Sequence, residues 1–169
     1  QHEVDFDNLA DQAGLFDVDI IICCLGTTIK KAGSRAQFRK VDLGYPLEAA
    51  RLGRAQGVKA FILMSAIGAS ASSNVFYSRV KGELEDALRG LGYPFLSIYQ
   101  PSLLLGDRGE HRTAEALGMK AMPVLNRLLV GPLAGYRGIE VNTVASAMVN
   151  EACSLTSVTP SSQAATTRQ

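Results

Sequence analysis

Val18-Asp-Ile-Ile-Ile-Cys-Cys-Leu-Gly26 is a continuous apolar run closed by glycine, and its reading decides the fold. A run without polar alternation suits a strand covered on both faces, as in a parallel sheet. Two later stretches repeat the pattern, Ala60-Phe-Ile-Leu-Met-Ser65 and Phe95-Leu-Ser-Ile-Tyr-Gln100, the second ended by Pro101. Helical patterns lie between them. From about Asp42 to Gln56 the residues Leu43, Leu47, Ala50 and Leu52 recur at helical spacing, and Gly57 closes the segment. Val80, Leu84, Leu88 and Leu91 mark a second buried stripe that stops at Gly90-Leu-Gly92. Thr27 to about Ala36 reads as a loop. Alternating strands and helices at this spacing mean βαβ units, so the expected class is α/β, a doubly wound parallel sheet with helices on both faces.

In the doubly wound order 3-2-1-4-5-6 the strand carrying Cys23 is the fourth and pairs with the first. No first strand precedes it here; Glu3-Val-Asp-Phe-Asp-Asn-Leu9 reads instead as the end of a strand running into a helix cap. The strand Ile20-Ile-Ile-Cys-Cys24 would then be an unpaired edge, which proteins normally avoid. The expectation is that about 60 residues belong upstream, the usual size of two βαβ-type repeats.

Beyond Pro101 the pattern weakens. Glu110 to Leu129 reads as a helix interrupted near Pro123, Gly131 to Gly138 as a loop, and Gly138-Ile-Glu-Val141 as a short strand. Asn142 or Thr143 is expected to cap a last helix from Val144 to about Leu155. A single domain over residues 1–155 and a disordered Ser/Thr/Gln/Ala tail over 156–169 complete the expected organisation.

At 169 residues and 47% apolar content the chain is long enough to bury a core of ordinary size. Its formal net charge of +1 gives no strong pull toward nucleic acid or an anionic membrane, and neither partner is expected. No apolar run approaches the roughly 18 to 20 residues that span a bilayer, and the first residues carry no signal-peptide pattern. A cytoplasmic location is the default expectation. Cys23 and Cys24 are adjacent in an apolar strand and Cys153 is remote, which is neither a disulfide framework nor a metal spacing; buried free thiols are expected. His2 and His111 stand apart from other ligand types, so no metal site is expected. Lys30, Lys31, Arg35, Arg39 and Lys40 make a basic stretch that reads as solvated surface, with only Phe38 available for base stacking.

The chemistry resides in Asn74-Val-Phe-Tyr-Ser-Arg-Val-Lys-Gly-Glu-Leu84, where Tyr77 and Lys81 are four residues apart at the start of a helix. One turn puts a phenol beside an ammonium. Ser65 ends the preceding strand, at the edge where parallel sheets expose their functional residues. A phenol that protonates an oxygen, with a cation and a hydroxyl to stabilise charge, is the wiring of a carbonyl-reducing site.

Taken with Val4-Asp-Phe-Asp-Asn-Leu9, Cys23-Cys-Leu-Gly-Thr-Thr28, Lys31-Ala-Gly33, Val41-Asp42, Phe76-Tyr-Ser-Arg-Val-Lys-Gly-Glu83 and Pro101-Ser-Leu-Leu-Leu-Gly-Asp-Arg108, the chain resembles the atypical branch of the short-chain dehydrogenase/reductase family, in particular its Tat-interacting, oxidoreductase-like group and bacterial relatives. The resemblance implies an NAD(P)-binding Rossmann-like fold with NADP(H) as the expected cofactor. It implies that Tyr77 is the general acid, that Lys81 lowers the phenol's pKa and holds the nicotinamide ribose, and that Ser65 donates to the substrate oxygen. By the same resemblance Leu25, Gly26 and Thr27 line the cofactor, Leu104 and Arg112 wrap its nicotinamide half and phosphates, and Asp5 lies near the adenine. Two departures stand out: Ala66 where a second serine is frequent, and Gln100 where arginine is common. The glycine-rich turn that holds a pyrophosphate does not occur in the chain, so these residues alone are expected to bind phosphate weakly. The expected function is an NAD(P)-dependent oxidoreductase acting on a carbonyl or alcohol of an unnamed small molecule. The alternative is an NADPH-binding regulatory or sensor protein working through protein partners, for which the resemblance also allows a nuclear location.

Overall fold

The computed structural model describes residues 1–105 and 137–158. Strands β1 (Ile20–Cys23), β2 (Ala60–Met64) and β3 (Phe95–Tyr99) form a parallel sheet in the order β1-β2-β3. The register sets Ile22 beside Ile62, and Ile62 beside Ser97. These are the three apolar runs read from the sequence. Among the described residues no strand pairs with the outer edge of β1. The arrangement is Rossmann-like, with the first strands of that fold not among the described residues.

The stretch expected as a loop after β1 folds into two short helices, α1 (Ile29–Ala32) and α2 (Arg35–Arg39). Each begins on a hydroxyl: Thr28 accepts from the Lys31 amide at 3.2 Å, and Ser34 from the Gln37 amide at 3.1 Å. Such caps satisfy the orphan N–H groups of a first turn, and they are the signal that separates helix from loop here. Then comes a wide π turn, Lys40–Gly44, in which the Tyr45 N–H reaches back to the Lys40 carbonyl, and α3 (Tyr45–Ala55). Pro46 explains the widening, since it has no N–H to return to the carbonyl of residue 42 and its ring crowds the preceding turn. The expected helix beginning at Asp42 is therefore the latter part of a longer, interrupted one.

Helix α4 (Phe76–Arg89) packs on the same face of the sheet as α3. Leu84 and Leu88 are each 0% exposed there, in one cluster with Phe61 and Leu63 of β2, and Val80 of the same helix is likewise fully buried. Burial of such side chains contributes about 1.5 to 3 kcal/mol each relative to exposure. Gly82 lets the segment between β2 and α4 lie on the helix: a Cβ at that position would fall 2.2 Å from the backbone of Ser70 and Ala71. The Ser70 amide donates to the Ser78 carbonyl at 3.0 Å in the same contact.

The other face is covered by α5 (Val141–Val158), whose Val144 and Met148 pack on Ile62. Before it, β4 (Leu104–Leu105) pairs with β5 (Ile139–Glu140), so the expected strand near Gly138 is present. The last helix starts at Val141 rather than Val144, and it runs through Val158, beyond the expected end at Leu155. The expected helix at Glu110 to Leu129, most of the loop before Gly138 and residues 159–169 of the tail lie outside the described residues.

Candidate active site

Tyr77 and Lys81 occupy one stripe of α4, and their neighbours occupy one stripe of the segment running alongside. The ring of Tyr77 lies 5.8 Å from that of Phe38. The Lys81 ammonium lies 2.8 Å from Oδ1 of Asp42. Phe38 and Asp42 are themselves four residues apart, so both site residues face the same partner surface and therefore the same side of α4. Tyr77 is 36% exposed, and among the described residues its hydroxyl has no hydrogen-bond partner, which leaves it available to a ligand.

Lys81 is 5% exposed and Asp42 is 1% exposed. A lone ammonium this deep would cost several kcal/mol, so Asp42 is what permits Lys81 to be charged inside the fold. The second oxygen, Oδ2, accepts the Thr27 amide at 2.8 Å. Oδ1 gains no aligned hydrogen bond, so its contact with Lys81 is a charge pair with an unused lone pair. The π turn that Pro46 enforces presents Asp42 to this position. Gly26 completes the enclosure: a Cβ there would sit 3.2 Å from Asp42 Oδ1 and 3.5 Å from Lys81 Nζ. Asp42 thus gathers the loop after β1, the π turn and α4 at one point.

Ser65 lies one residue past β2, and its hydroxyl donates to Glu85 Oε1 at 2.5 Å. The expected bond from Ser65 to a substrate oxygen would require it to turn away from that carboxylate. Glu85 is 2% exposed and also accepts from Gln100 Nε2 at 2.9 and 3.0 Å and from Arg89 at 3.2 Å.

Of the expected cofactor residues, Gly26 and Thr27 adjoin the Asp42–Lys81 pair, and Leu25 packs into the core under α3 and α4. Leu104 lies in β4 and packs with the cluster on the α5 face. Asp5, expected near an adenine, caps the N-terminal segment Phe6–Phe16 by accepting the Asp7 amide at 3.0 Å. Arg112 lies outside the described residues. Of the basic residues, Arg39 pairs with Glu83 at 2.5 Å, Lys40 with Asp7 at 2.6 Å, and Arg35 stacks over Phe76. Cys23 is buried as expected and burial raises its thiol pKa, but Cys24 and Cys153 are exposed. No metal-binding cluster occurs among the described residues, and no helix among them is long and apolar enough to cross a membrane.

Sequence alone assigned no role to Asp42, although Val41-Asp42 helps carry the resemblance, and none to Glu85. Each had a signal, a carboxylate within a helical stretch otherwise rich in leucine: Val41-Asp-Leu43 and Leu84-Glu-Asp86.

No family model matches the sequence. Among curated proteins, "Protein HTATIP2" of Rattus norvegicus is 41% identical over 151 residues, covering 89% of the chain and 60% of the relative. "Protein FMP52-1, mitochondrial" of Scheffersomyces stipitis is 39% identical over 122 residues, covering 72% of the chain and 50% of the relative. The chain is a homologue of HTATIP2 and FMP52. It spans 60% and 50% of the length of those two relatives. The kinship agrees with the short-chain dehydrogenase/reductase resemblance carried by the motifs. Solved structures agree on the fold. UDP-glucose 4-epimerase of Thermotoga maritima superposes with a TM-score of 0.55 at 17% identity, covering 64% of the chain and 43% of the epimerase. dTDP-4-dehydrorhamnose reductase of Bacillus anthracis, solved with NADP, gives 0.54 at 17% identity, covering 74% and 48%. The expectation of a cytoplasmic location does not stand, because the FMP52 homologues found in several fungi are named mitochondrial.

Proposed function

We propose that the chain carries the substrate side of an NAD(P)-dependent oxidoreductase site acting on a carbonyl or alcohol of a small molecule, with NADP(H) as the cofactor. The observation that carries the proposal is the pairing of an unengaged Tyr77 hydroxyl with a buried, charge-compensated Lys81 on one helix face, at the edge where β1 and β2 end. The fit of a dinucleotide is supported by Gly26, where the missing side chain keeps the backbone close to Lys81. Lys81, Gly26 and Thr27 would hold the nicotinamide ribose; by the resemblance Leu104 and Arg112 would wrap the nicotinamide half and the phosphates. A bound nicotinamide dinucleotide supplies the hydride for reduction or accepts it in oxidation.

Tyr77 gives its phenolic proton to the carbonyl oxygen, or takes one from the alcohol in the reverse direction. The ammonium of Lys81 favours the phenolate that results, by an amount that Asp42 tempers, since a carboxylate 2.8 Å away cancels much of the field at a distance. The chemistry is assigned to Tyr77 and Lys81; Ser65 joins it as a donor only on release from Glu85.

That same tempering supports the second reading, an NADPH-binding regulator that keeps the pocket and acts through protein partners. Ala66 beside a committed Ser65 leaves the oxygen with fewer donors than a reductase commonly offers. One experiment divides the two. NADPH oxidation by the full-length protein is followed against a panel of aldehydes and ketones, beside Tyr77→Phe. The reductase reading expects turnover that falls at least about a hundredfold in Tyr77→Phe with NADPH affinity retained. Turnover unchanged by that substitution removes Tyr77 from the chemistry and favours the regulator.

A further inference from the structure

We propose that Glu85 is a positioning residue: it locks α4 to the ends of β2 and β3, and so fixes where Lys81 and Tyr77 stand. The proposal rests on the reading of those two residues as the site. Tyr77, Lys81 and Glu85 recur every four residues, so they share one stripe of the helix. Lys81 turns to Asp42, and Glu85 is left to bind elsewhere. Its partners Ser65 and Gln100 are the first residues beyond β2 and beyond β3. The two strand ends are joined at the same level, where the Ser65 amide donates to the Tyr99 carbonyl at 2.7 Å. One carboxylate therefore binds a helix to a stiff two-strand platform through a 2.5 Å bond from Ser65 and a forked pair from Gln100 at 2.9 and 3.0 Å.

The apolar contacts of Leu84 and Leu88 hold α4 at its distance from the sheet but are non-directional, and they permit the helix to roll. Hydrogen bonds to a buried carboxylate resist rolling because they fail steeply with angle. Roll matters here, since a productive site tolerates only about 0.5 Å or 10 to 20° of misplacement. Lys81 is one turn from Glu85, roughly 6 Å along the axis. A rolled helix would draw its ammonium off Asp42 and shift the Tyr77 ring on Phe38. A carboxylate serving stability alone needs no particular alignment with that stripe.

The test uses full-length protein in four forms: parent, Gln100→Ala, Glu85→Gln, and the exchange that combines Glu85→Gln with Gln100→Glu. The first readout is the rate at which an acylating reagent modifies Lys81, followed by mass spectrometry under native conditions. The second is the emission of added NADPH, which reports the surroundings of the nicotinamide. Gln100→Ala and Glu85→Gln are expected to raise Lys81 acylation about tenfold, the effect of losing hydrogen bonds to a charged group. The exchange rebuilds the acid–amide pair with its ends reversed, and is expected to return acylation to within about twofold of the parent. NADPH emission should follow the same order. Should Glu85→Gln fail to fold, Gln100→Ala and the exchange carry the comparison. The proposal is overturned if folded variants melt at lower temperature while Lys81 is acylated at the parental rate, or if the exchange folds and leaves Lys81 as reactive as in Gln100→Ala. If NADPH emission changes in none of the proteins, the cofactor reading fails, while the acylation rates still decide whether Glu85 positions Lys81.

Discussion

Asp42 and Glu85 are carboxylates buried to nearly the same depth, 1% and 2% exposed, the first facing the Tyr77–Lys81 stripe and the second continuing it, and they are satisfied in opposite ways. Asp42 meets a full cation at 2.8 Å with one oxygen and a single backbone amide at 2.8 Å with the other. Glu85 meets two neutral donors, the Ser65 hydroxyl and the Gln100 amide, plus the half-exposed Arg89. The first arrangement fixes charge and has an idle lone pair; the second saturates its oxygens and fixes orientation. The difference shows how one helix face can carry a buried cation without losing its alignment.

Breaking the charge pair should have the largest effect. Asp42→Ala leaves an ammonium buried without a partner, and a loss of about 3 to 5 kcal/mol in urea unfolding is expected. Glu85→Gln keeps the shape and some of the bonds, so about 1 to 3 kcal/mol is expected. Equal losses in the two variants would erase the distinction drawn above.

A smaller effect sharpens the Asp42 side alone. Gly26→Ala introduces a methyl group 3.2 Å from Asp42 Oδ1 and 3.5 Å from Lys81 Nζ, so the pair must give by a few tenths of an ångström. About 1 kcal/mol of destabilisation is expected, at the low end for overpacking, with weaker NADPH binding in the same variant. An unchanged midpoint in urea would mean that the enclosure is looser than described.

An effect confined to alkaline pH comes from a buried polar group outside both clusters. Tyr93 donates to the Ala50 carbonyl at 2.6 Å, and burial pushes its pKa up to about 12 from an ordinary 10. The folded state holds this proton longer than the unfolded chain, so the contribution is intact below pH 10 and is lost as pH rises from 10 toward 12. Stability measured by denaturant between those values should fall less steeply in Tyr93→Phe than in the parent. Identical slopes would show that this phenol is not linked to folding.

Much of the fold was legible because its strands are largely apolar: Ile20–Cys23, Ala60–Met64 and Phe95–Tyr99 each fall inside a run read as a strand, with Ser97 the one polar residue, although only the central strand is buried along most of its length. Helix α4 was legible through its leucine stripe, and with it the side-by-side placement of Tyr77 and Lys81. The two short helices after β1 were missed because their signal is a single capping hydroxyl each, Thr28 and Ser34, in a stretch rich in charge. The π turn was missed because Pro46 acts on the turn before it. That omission concealed the partner of Lys81, since a helix begun at Asp42 gives no reason for the carboxylate to turn inward. Ser65 was placed correctly at the strand end, but nothing in its neighbourhood of sequence discloses that Glu85, twenty residues on, holds its hydroxyl.

The central claim, that the Tyr77–Lys81 face receives a nicotinamide dinucleotide, is tested most directly by titrating NADPH, and separately NADH, into the full-length protein and its Lys81→Met and Tyr77→Phe variants. Saturable binding of NADPH by the parent is expected, weakened at least about tenfold by Lys81→Met and within about threefold of parental in Tyr77→Phe. No saturable binding of either nucleotide, or binding that is the same with and without the ammonium of Lys81, would contradict the account.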